Sequence, residues 1–318
     1  MRKPLRIGTR ESQLAVWQAT LVQQLLAKNN ILSELVYIKS EGDIDLQTPL
    51  YELGVQGIFT KTLDIALLTD KIDIAVHSMK DVPTQLAKGI AQAAVLERAT
   101  YKDVFVYKDR DAIEQWELSN VSEDTLYFSG AGLIATSSIR RKAQWLNRYP
   151  KHNFENLRGN VNTRLRKVAE SNWHGAIFAA AGLERINLRP ANAIDLDWML
   201  PAPAQGAIMV VCRENDTFSK EACQPFNHEE TAICTKIEKD FLRTLLGGCS
   251  TPISALAQII ENKIVFRGNI LSVDGKEKVE IEKSIDVSNA EGLGYIVANE
   301  MLQNGAKKIA DAIQHGAK

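Results

Sequence analysis

Cys249 stands in Gly247-Gly248-Cys249-Ser250-Thr251-Pro252, held on a turn by glycines before it and a proline after it. A thiol packed into an apolar run is chemically idle. One displayed on a loop can carry a covalent group where its surroundings favour the thiolate. Taken alone, the motif also fits an exposed cysteine with no role. Asp81, in His77-Ser78-Met79-Lys80-Asp81-Val82-Pro83, is an acidic residue just past a nearly unbroken apolar run. A carboxylate there could move a proton or stabilise a cation; the plainer alternative is a turn aspartate satisfied by backbone N–H groups. His77 by itself reads as a structural hydrogen-bonder. Between Thr136 and Pro190 eleven Lys and Arg, including Arg140, Arg141, Arg158, Arg164 and Arg185, stand against three Glu, a local excess of +8. Arginine forks match carboxylates and phosphates bidentately, although a solvated helix face is the usual fate of a charge run. Thr136-Ser137-Ser138 is a plain helix cap or, through its free N–H groups, a seat for an anion. Together these residues fit an enzyme that grips a polycarboxylated substrate by its anionic arms. One carboxylate is left for cationic or proton-transfer chemistry, and the thiol tethers an intermediate or a prosthetic group.

Those residues need elements to position them. Leu5–Thr9 reads as a strand, and Ser12 caps a helix with Leu14, Trp17, Leu21 and Leu25 at helical spacing. Leu35–Lys39 is a second strand and 57–68 a helix. Ile72–Val76 has the composition of a buried parallel strand, which places Asp81 at a strand's C-terminal edge, where open α/β sheets bind their ligands. A second unit repeats the logic, with strands at Val104–Tyr107, Leu133–Ala135, Phe154–Leu157 and Ala176–Ala179. Helices bearing Arg140 and Arg141, then Arg164, then Arg185 follow the last three. Ala207–Val211 is a further strand. Two such halves imply a cleft between them. From about Asn215 the character changes: an amphipathic helix over 229–246, strands at 253–260, 264–270 and 279–287, and a single helix over 291–314 make a small α+β unit with Cys249 at its entrance.

The chain has 318 residues, 45% hydrophobic and 24% charged, which suits two or three globular domains. A net charge of −1 argues against a general polyanion binder. No stretch reads as a signal peptide or a long apolar span, so a cytoplasmic location is expected. Four cysteines without a CxxC pair or neighbouring His make disulfides and a metal site unexpected. Gly130-Ala131-Gly132-Leu133-Ile134-Ala135 loosely matches a dinucleotide fingerprint, but its glycines precede a strand where they should follow one.

The residues also resemble a known family. Leu5-Arg-Ile-Gly-Thr-Arg10-Glu-Ser12-Gln-Leu-Ala, His77-Ser78-Met-Lys80-Asp81-Val-Pro, Thr136-Ser137-Ser138-Ile-Arg140-Arg141, Leu157-Arg158-Gly-Asn-Val-Asn-Thr-Arg164-Leu, Ala181-Gly-Leu-Glu-Arg185 and Gly247-Gly-Cys249-Ser-Thr-Pro-Ile are similar, in order, to motifs of the hydroxymethylbilane synthase (porphobilinogen deaminase) family. The resemblance spans essentially the whole chain. It implies two periplasmic-binding-protein-like, doubly wound α/β domains (1–98 with 206–222, and 99–205) and a C-terminal α+β domain (223–318). It implies a transferase that joins four porphobilinogen units into hydroxymethylbilane with loss of ammonia, primed by a dipyrromethane cofactor on Cys249. Asp81 matches the catalytic aspartate. Arg10, Ser12, Ser78, Lys80, Thr136, Ser137, Ser138, Arg140, Arg141, Arg158, Arg164 and Arg185 match positions around acetate and propionate arms, and Gln205 matches a hinge position. A monomer with no nucleic-acid or membrane partner is implied. Departures are Glu52 and Gln56, where the family carries lysines on a lid, and Ala135 and Ala204, where it commonly carries glycine. The first pair is expected to weaken that wall's hold on carboxylates. The second pair is expected to stiffen two turns or to follow a different backbone path.

Two rivals use the same residues. A two-lobed, non-enzymatic binder of small polycarboxylates needs neither Cys249 nor a bound pyrrole. A nucleic-acid binder using the basic segment lacks interleaved aromatics and predicts steep salt dependence.

Overall fold

The computed structural model describes residues 3–39, 60–108, 132–245 and 251–316. Cys249, Glu52, Gln56 and Gly130 lie outside the described residues.

The first sheet is built from β1 (Leu5–Thr9), β2 (Ser33–Tyr37), β3 (Ile74–Ser78) and β4 (Ile90–Val95), and the second from β5 (Asp103–Tyr107), β6 (Leu133–Ala135), β7 (Asn153–Glu155), β8 (Gly175–Ala179) and β9 (Ala193–Asp195). The chain then returns to the first sheet as β10 (Ile208–Arg213). Strand orders are β2-β1-β3-β10-β4 and β7-β6-β8-β5-β9. The two lobes therefore share one plan. In each, a strand arriving from the other lobe is inserted antiparallel between the third and fourth local strands. The crossing segments, 96–102 and 196–207, run side by side, with Ala99 N donating to Gly206 O and Leu196 N to Asp103 O.

Helices cover both faces of the first sheet. α1 (Gln13–Lys28) packs Ala19, Val22 and Leu26 against Ile7, Ile74 and Val76. α2 (Lys61–Leu68) packs Leu63 and Leu67 against Ala75, Met209 and Val211 on the other. With both faces dry, β3 must be apolar at successive positions, which explains its unbroken run. The second lobe is likewise two-sided, around Val106, Ala176 and Phe178 on one face and Phe105, Ile134, Trp145 and Ile177 on the other. Its helices are α3 (Ile139–Arg148), α4 (Val161–Glu170) and α5 (Ala180–Glu184).

After α6 (Thr217–Cys223), α7 (Glu229–Thr244) crosses a three-stranded antiparallel sheet of β11 (Ile253–Ile260), β12 (Lys263–Leu271) and β13 (Lys278–Asp286), and α8 (Leu293–Met301) and α9 (Lys307–Gly316) close the unit. Phe241 and Phe266 meet edge to face in its core, with ring centroids 5.0 Å apart.

Several sequence expectations are corrected. The single C-terminal helix is two, because Gly305 adopts φ 103° and breaks the hydrogen-bond ladder after Asn304. β3 runs on to Ser78, so His77 and Ser78 belong to the strand, and Met79–Asp81 forms one 3-10 turn. β4, β9 and α6 had no sequence signal recognised as theirs. Ala135 lies within β6 and needs no glycine. Ala204, by contrast, is fully buried at φ 62°, a left-handed backbone that an alanine adopts at a cost of about 1–2 kcal/mol.

Candidate active site in the interlobe cleft

One cavity of about 640 Å³ lies between the lobes. Arg10, Ser12, Ser78, Lys80, Asp81, Thr136, Ser137, Ser138, Arg140, Arg141, Arg158, Arg164 and Gln205 all line it. Thus twelve of the residues singled out in the sequence, from four of its motifs, line one cavity together with Gln205. Arg185 is not among the lining residues: its guanidinium donates to Gly206 O (2.6 Å) and lies 5.8 Å from the Trp17 ring centroid. Leu242, Thr251 and Ile253 also line the cavity, so the chain on both sides of Cys249 approaches it.

The topology explains the convergence. α1, α3 and α4 each follow a strand's C-terminal end, and all three present their N-terminal residues to the cavity. Ser12 accepts from Ala15 N, and Asn160 accepts from Thr163 N, capping α1 and α4. Ser138 heads α3 without a side-chain cap bond; Thr136 Oγ1 accepts from Ser138 N (3.2 Å) and Ser137 Oγ from Leu157 N (2.9 Å). Three helix N-termini at one cavity add partial positive charge to the arginines. Gly159 must be glycine: at φ 110° a Cβ would fall 2.7 Å from the Thr163 side chain, and the turn it makes aims Arg158 and Arg164 at the cavity.

Electrostatics favour a multiply charged anion. Burial pushes the Arg164 guanidinium down to about 10; Arg141, Arg158 and Arg10 push the same way, and Asp81 pulls back. Burial likewise lowers Lys80 to about 8, opposed by Asp81 and Asp103 and assisted by Arg141 and Arg140. Crowded cations disfavour one another's charge, and carboxylates brought between them relieve that strain. His77 is buried and pushed down to about 4, chiefly by burial and then by Arg10 and Lys239, so it is neutral near pH 7. Ser78 Oγ accepts from Gln18 Nε2 at 2.9 Å, which anchors α1 to the end of β3.

The arginine pair differs from a simple ligand clamp. Arg140 and Arg141 are buried, and both donate to Asp103, at 2.6 and 2.7 Å, with further bonds to Leu200 O and Ile177 O. Gln205 Nε2 donates to Asp103 Oδ1 (2.9 Å) and Tyr101 O (2.7 Å), while Gln205 Oε1 accepts from Lys80 Nζ at 3.4 Å. Asp103 was missed in the sequence. Its signal was an acidic residue opening an apolar strand near an arginine excess. Across the cleft Asn162 Nδ2 donates to Gln13 Oε1 (2.8 Å).

The family model "Porphobilinogen deaminase, dipyromethane cofactor binding domain" matches residues 5–221, and "Porphobilinogen deaminase, C-terminal domain" matches residues 232–303. The chain belongs to the porphobilinogen deaminase family. The first match covers both lobes and every described residue that lines the cavity except Leu242, Thr251 and Ile253, so this porphobilinogen deaminase carries the family's dipyrromethane-binding domain. Hydroxymethylbilane synthesis from porphobilinogen is the activity of the family and of this chain. Similar solved structures include the methionine binding protein MetQ (14% identity, TM-score 0.43, covering 72% of this chain and 91% of that one). Another is the second VFT domain of Bordetella pertussis BvgS, in a double mutant (12% identity, TM-score 0.41, 72% and 90%).

The cavity's donor set fits a dipyrromethane. Two pyrroles with two carboxylates each need four anion partners, and Arg10, Lys80, Arg141, Arg158, Arg164 and the three helix N-termini supply more than that within a volume suited to a small-molecule site.

Proposed function

We propose that this chain joins four porphobilinogen molecules head to tail, as a transferase, with Asp81 as its catalytic carboxylate and Cys249 as the thioether attachment point of the dipyrromethane. The observation that carries this reading is the half-buried carboxylate of Asp81 on a cavity that Arg10, Lys80, Arg141, Arg158 and Arg164 also line, the other lining carboxylate, Glu11, being exposed.

When bound, the dipyrromethane supplies a terminal pyrrole carbon as nucleophile. Arg10, Lys80, Arg158 and Arg164, with the hydroxyls and N–H groups of Ser12, Thr136, Ser137 and Ser138, hold acetate and propionate arms. Ser78 fixes the end of β3, and Arg140 and Arg141 add a paired seat on the second lobe. Asp81 accepts hydrogen bonds from pyrrole N–H groups of the incoming porphobilinogen. As the C–N bond of the protonated aminomethyl group breaks, ammonia leaves with the bonding electron pair and the pyrrole methylene becomes cationic, and the proton displaced as the new C–C bond forms is released. A carboxylate fixed beside that charge stabilises it more than water does. Arg185 and Gln205 serve the hinge: each bonds to one of the two crossing segments or its flank.

The same reading divides the chain into 1–98 with 206–222, 99–205 and 223–318, supported by the return of β10 to the first sheet. It places the enzyme in the cytoplasm as a monomer. Among the described residues no helix is long and apolar enough to cross a membrane.

Intact mass of the purified protein beside Cys249→Ala, before and after incubation with porphobilinogen, tests the reading. Two condensed pyrrole units on the wild type, none on the variant, and a linear tetrapyrrole product are expected. An unmodified wild type that makes no product would return the chain to a binder of small polycarboxylates.

A further inference from the structure

Asp103 opens β5 where the chain first crosses from one lobe to the other, and its side chain is wholly withdrawn from solvent. Its oxygens accept from Arg140 Nη2 (2.6 Å), Arg141 Nη2 (2.7 Å) and Nε (3.1 Å), and Gln205 Nε2 (2.9 Å). Burial alone would raise this carboxyl, but the two guanidiniums outweigh it and hold the group ionised well below the ordinary range. One anion thus serves two cations that both line the cavity. Gln205 sits on the other crossing segment, and its amide oxygen receives Lys80, the neighbour of Asp81. A continuous hydrogen-bonded path therefore runs from the Asp81 turn of the first lobe to the arginine pair of the second.

We propose that Asp103 is a positioning residue for the condensation: it fixes Arg140 and Arg141 as a preformed carboxylate seat and ties that seat, through Gln205, to Lys80 on the opposite lobe. This rests on the reading that Arg140 and Arg141 hold pyrrole carboxylates. Two adjacent buried guanidiniums repel, and without an anion between them they separate or rotate outward. With it, their spacing is set before any ligand arrives, so no reorganisation is needed as charge develops.

Asp103→Asn keeps the shape and removes the charge. It raises the cleft's net positive charge by one, so attraction alone predicts tighter carboxylate binding, whereas loss of positioning predicts weaker binding. The expected result is a KM for porphobilinogen raised about ten- to a hundredfold, with short chain-length intermediates accumulating in the intact-mass spectrum. An aspartate that only supported the fold would, when replaced, lower the melting temperature and the active fraction but leave KM and the intermediate distribution unchanged. Wild-type KM and intermediates in folded Asp103→Asn overturn the proposal. Should that variant not fold, Asp103→Glu carries the test: it keeps the charge and displaces the pair by one methylene. A folded Asp103→Glu protein with wild-type KM and intermediates overturns the proposal equally. Arg140→Gln and Arg141→Gln are measured alongside. Unchanged cofactor mass and KM in both would remove the underlying carboxylate reading. A raised KM in them with none in folded Asp103→Asn would remove the positioning role alone.

Discussion

Lys239 donates from Nζ to the carbonyl oxygens of Val82 and Pro83, the latter at 3.2 Å, so a helix of the C-terminal unit grips the turn that presents Asp81. The same helix leads toward Cys249. One helix therefore buttresses the turn that carries Asp81 and runs on, in sequence, toward the Gly247-Gly248-Cys249 motif.

Lys239→Met keeps the apolar stem and leaves two carbonyls without their donor. The expected loss is about 1–3 kcal/mol of stability, with a fall in turnover and an unchanged cofactor mass. Denaturant melts and steady-state rates check this; wild-type rates would detach α7 from the placement of Asp81.

Arg98 and Glu238 form a second bolt. Glu238 is fully buried and accepts from Arg98 Nη1 (2.6 Å), Ala204 N (2.6 Å) and Ala257 N (2.8 Å), while Arg98 Nε donates to Gln205 O (2.8 Å). Arg98→Ala strands a buried carboxylate against the crossing segment, at an expected cost of about 3–5 kcal/mol. Arg98→Ala combined with Glu238→Gln should recover part of that loss in a chemical melt, since the uncompensated charge is then gone.

Asp81→Asn preserves size but removes the charge and turns one acceptor oxygen into an NH2 donor. Turnover is expected to fall by about two orders of magnitude or more, with the melting temperature and cofactor mass close to wild type. Tetrapyrrole formation at the wild-type rate would end Asp81's role as the catalytic carboxylate.

Lys80 gives a pH signature. Its folded value of about 8 lies below the ordinary 10.5. Between these values the unfolded chain holds the extra proton, so Lys80's contribution to stability is fully present above 10.5 and is lost as pH falls through 8. Substrate binding runs the opposite way, because the ammonium that holds a carboxylate disappears as pH rises past 8. KM for porphobilinogen is expected to climb above that pH in the wild type and to stay flatter in Lys80→Arg, which remains charged. Identical alkaline profiles would move the titrating group elsewhere.

Much of this was legible in one dimension. The apolar run before Asp81, the capping hydroxyl of Ser12, the N-cap position of Ser138, and the arginine excess between Thr136 and Pro190 follow from local periodicity, capping and residue chemistry. They marked both α/β halves, Asp81 and the arginines of the second half, whereas Arg10, Lys80 and Gln205 were tied to the site by the family resemblance. The kink at Gly305 and the edge strands β4 and β9 were not legible: β9 has only three residues, and half of the six in β4 are alanine, which signals no strand.

Sequence by itself determined which groups could carry charge and on which element each would stand, because helix and strand periods are local properties. Only the tertiary structure decided how those charges are divided. It sends Arg140 and Arg141 to a buried aspartate and Arg185 to Trp17 and a hinge carbonyl, and it sets Arg10, Arg158 and Arg164 on the lining of the cavity that Asp81 shares. Asp103 and Arg141 lie 38 positions apart, and Lys80 and Gln205 lie 125 apart. No local pattern encodes such pairings; they exist because two crossing segments bring two sheets to a shared edge, where each buried charge must find its partner.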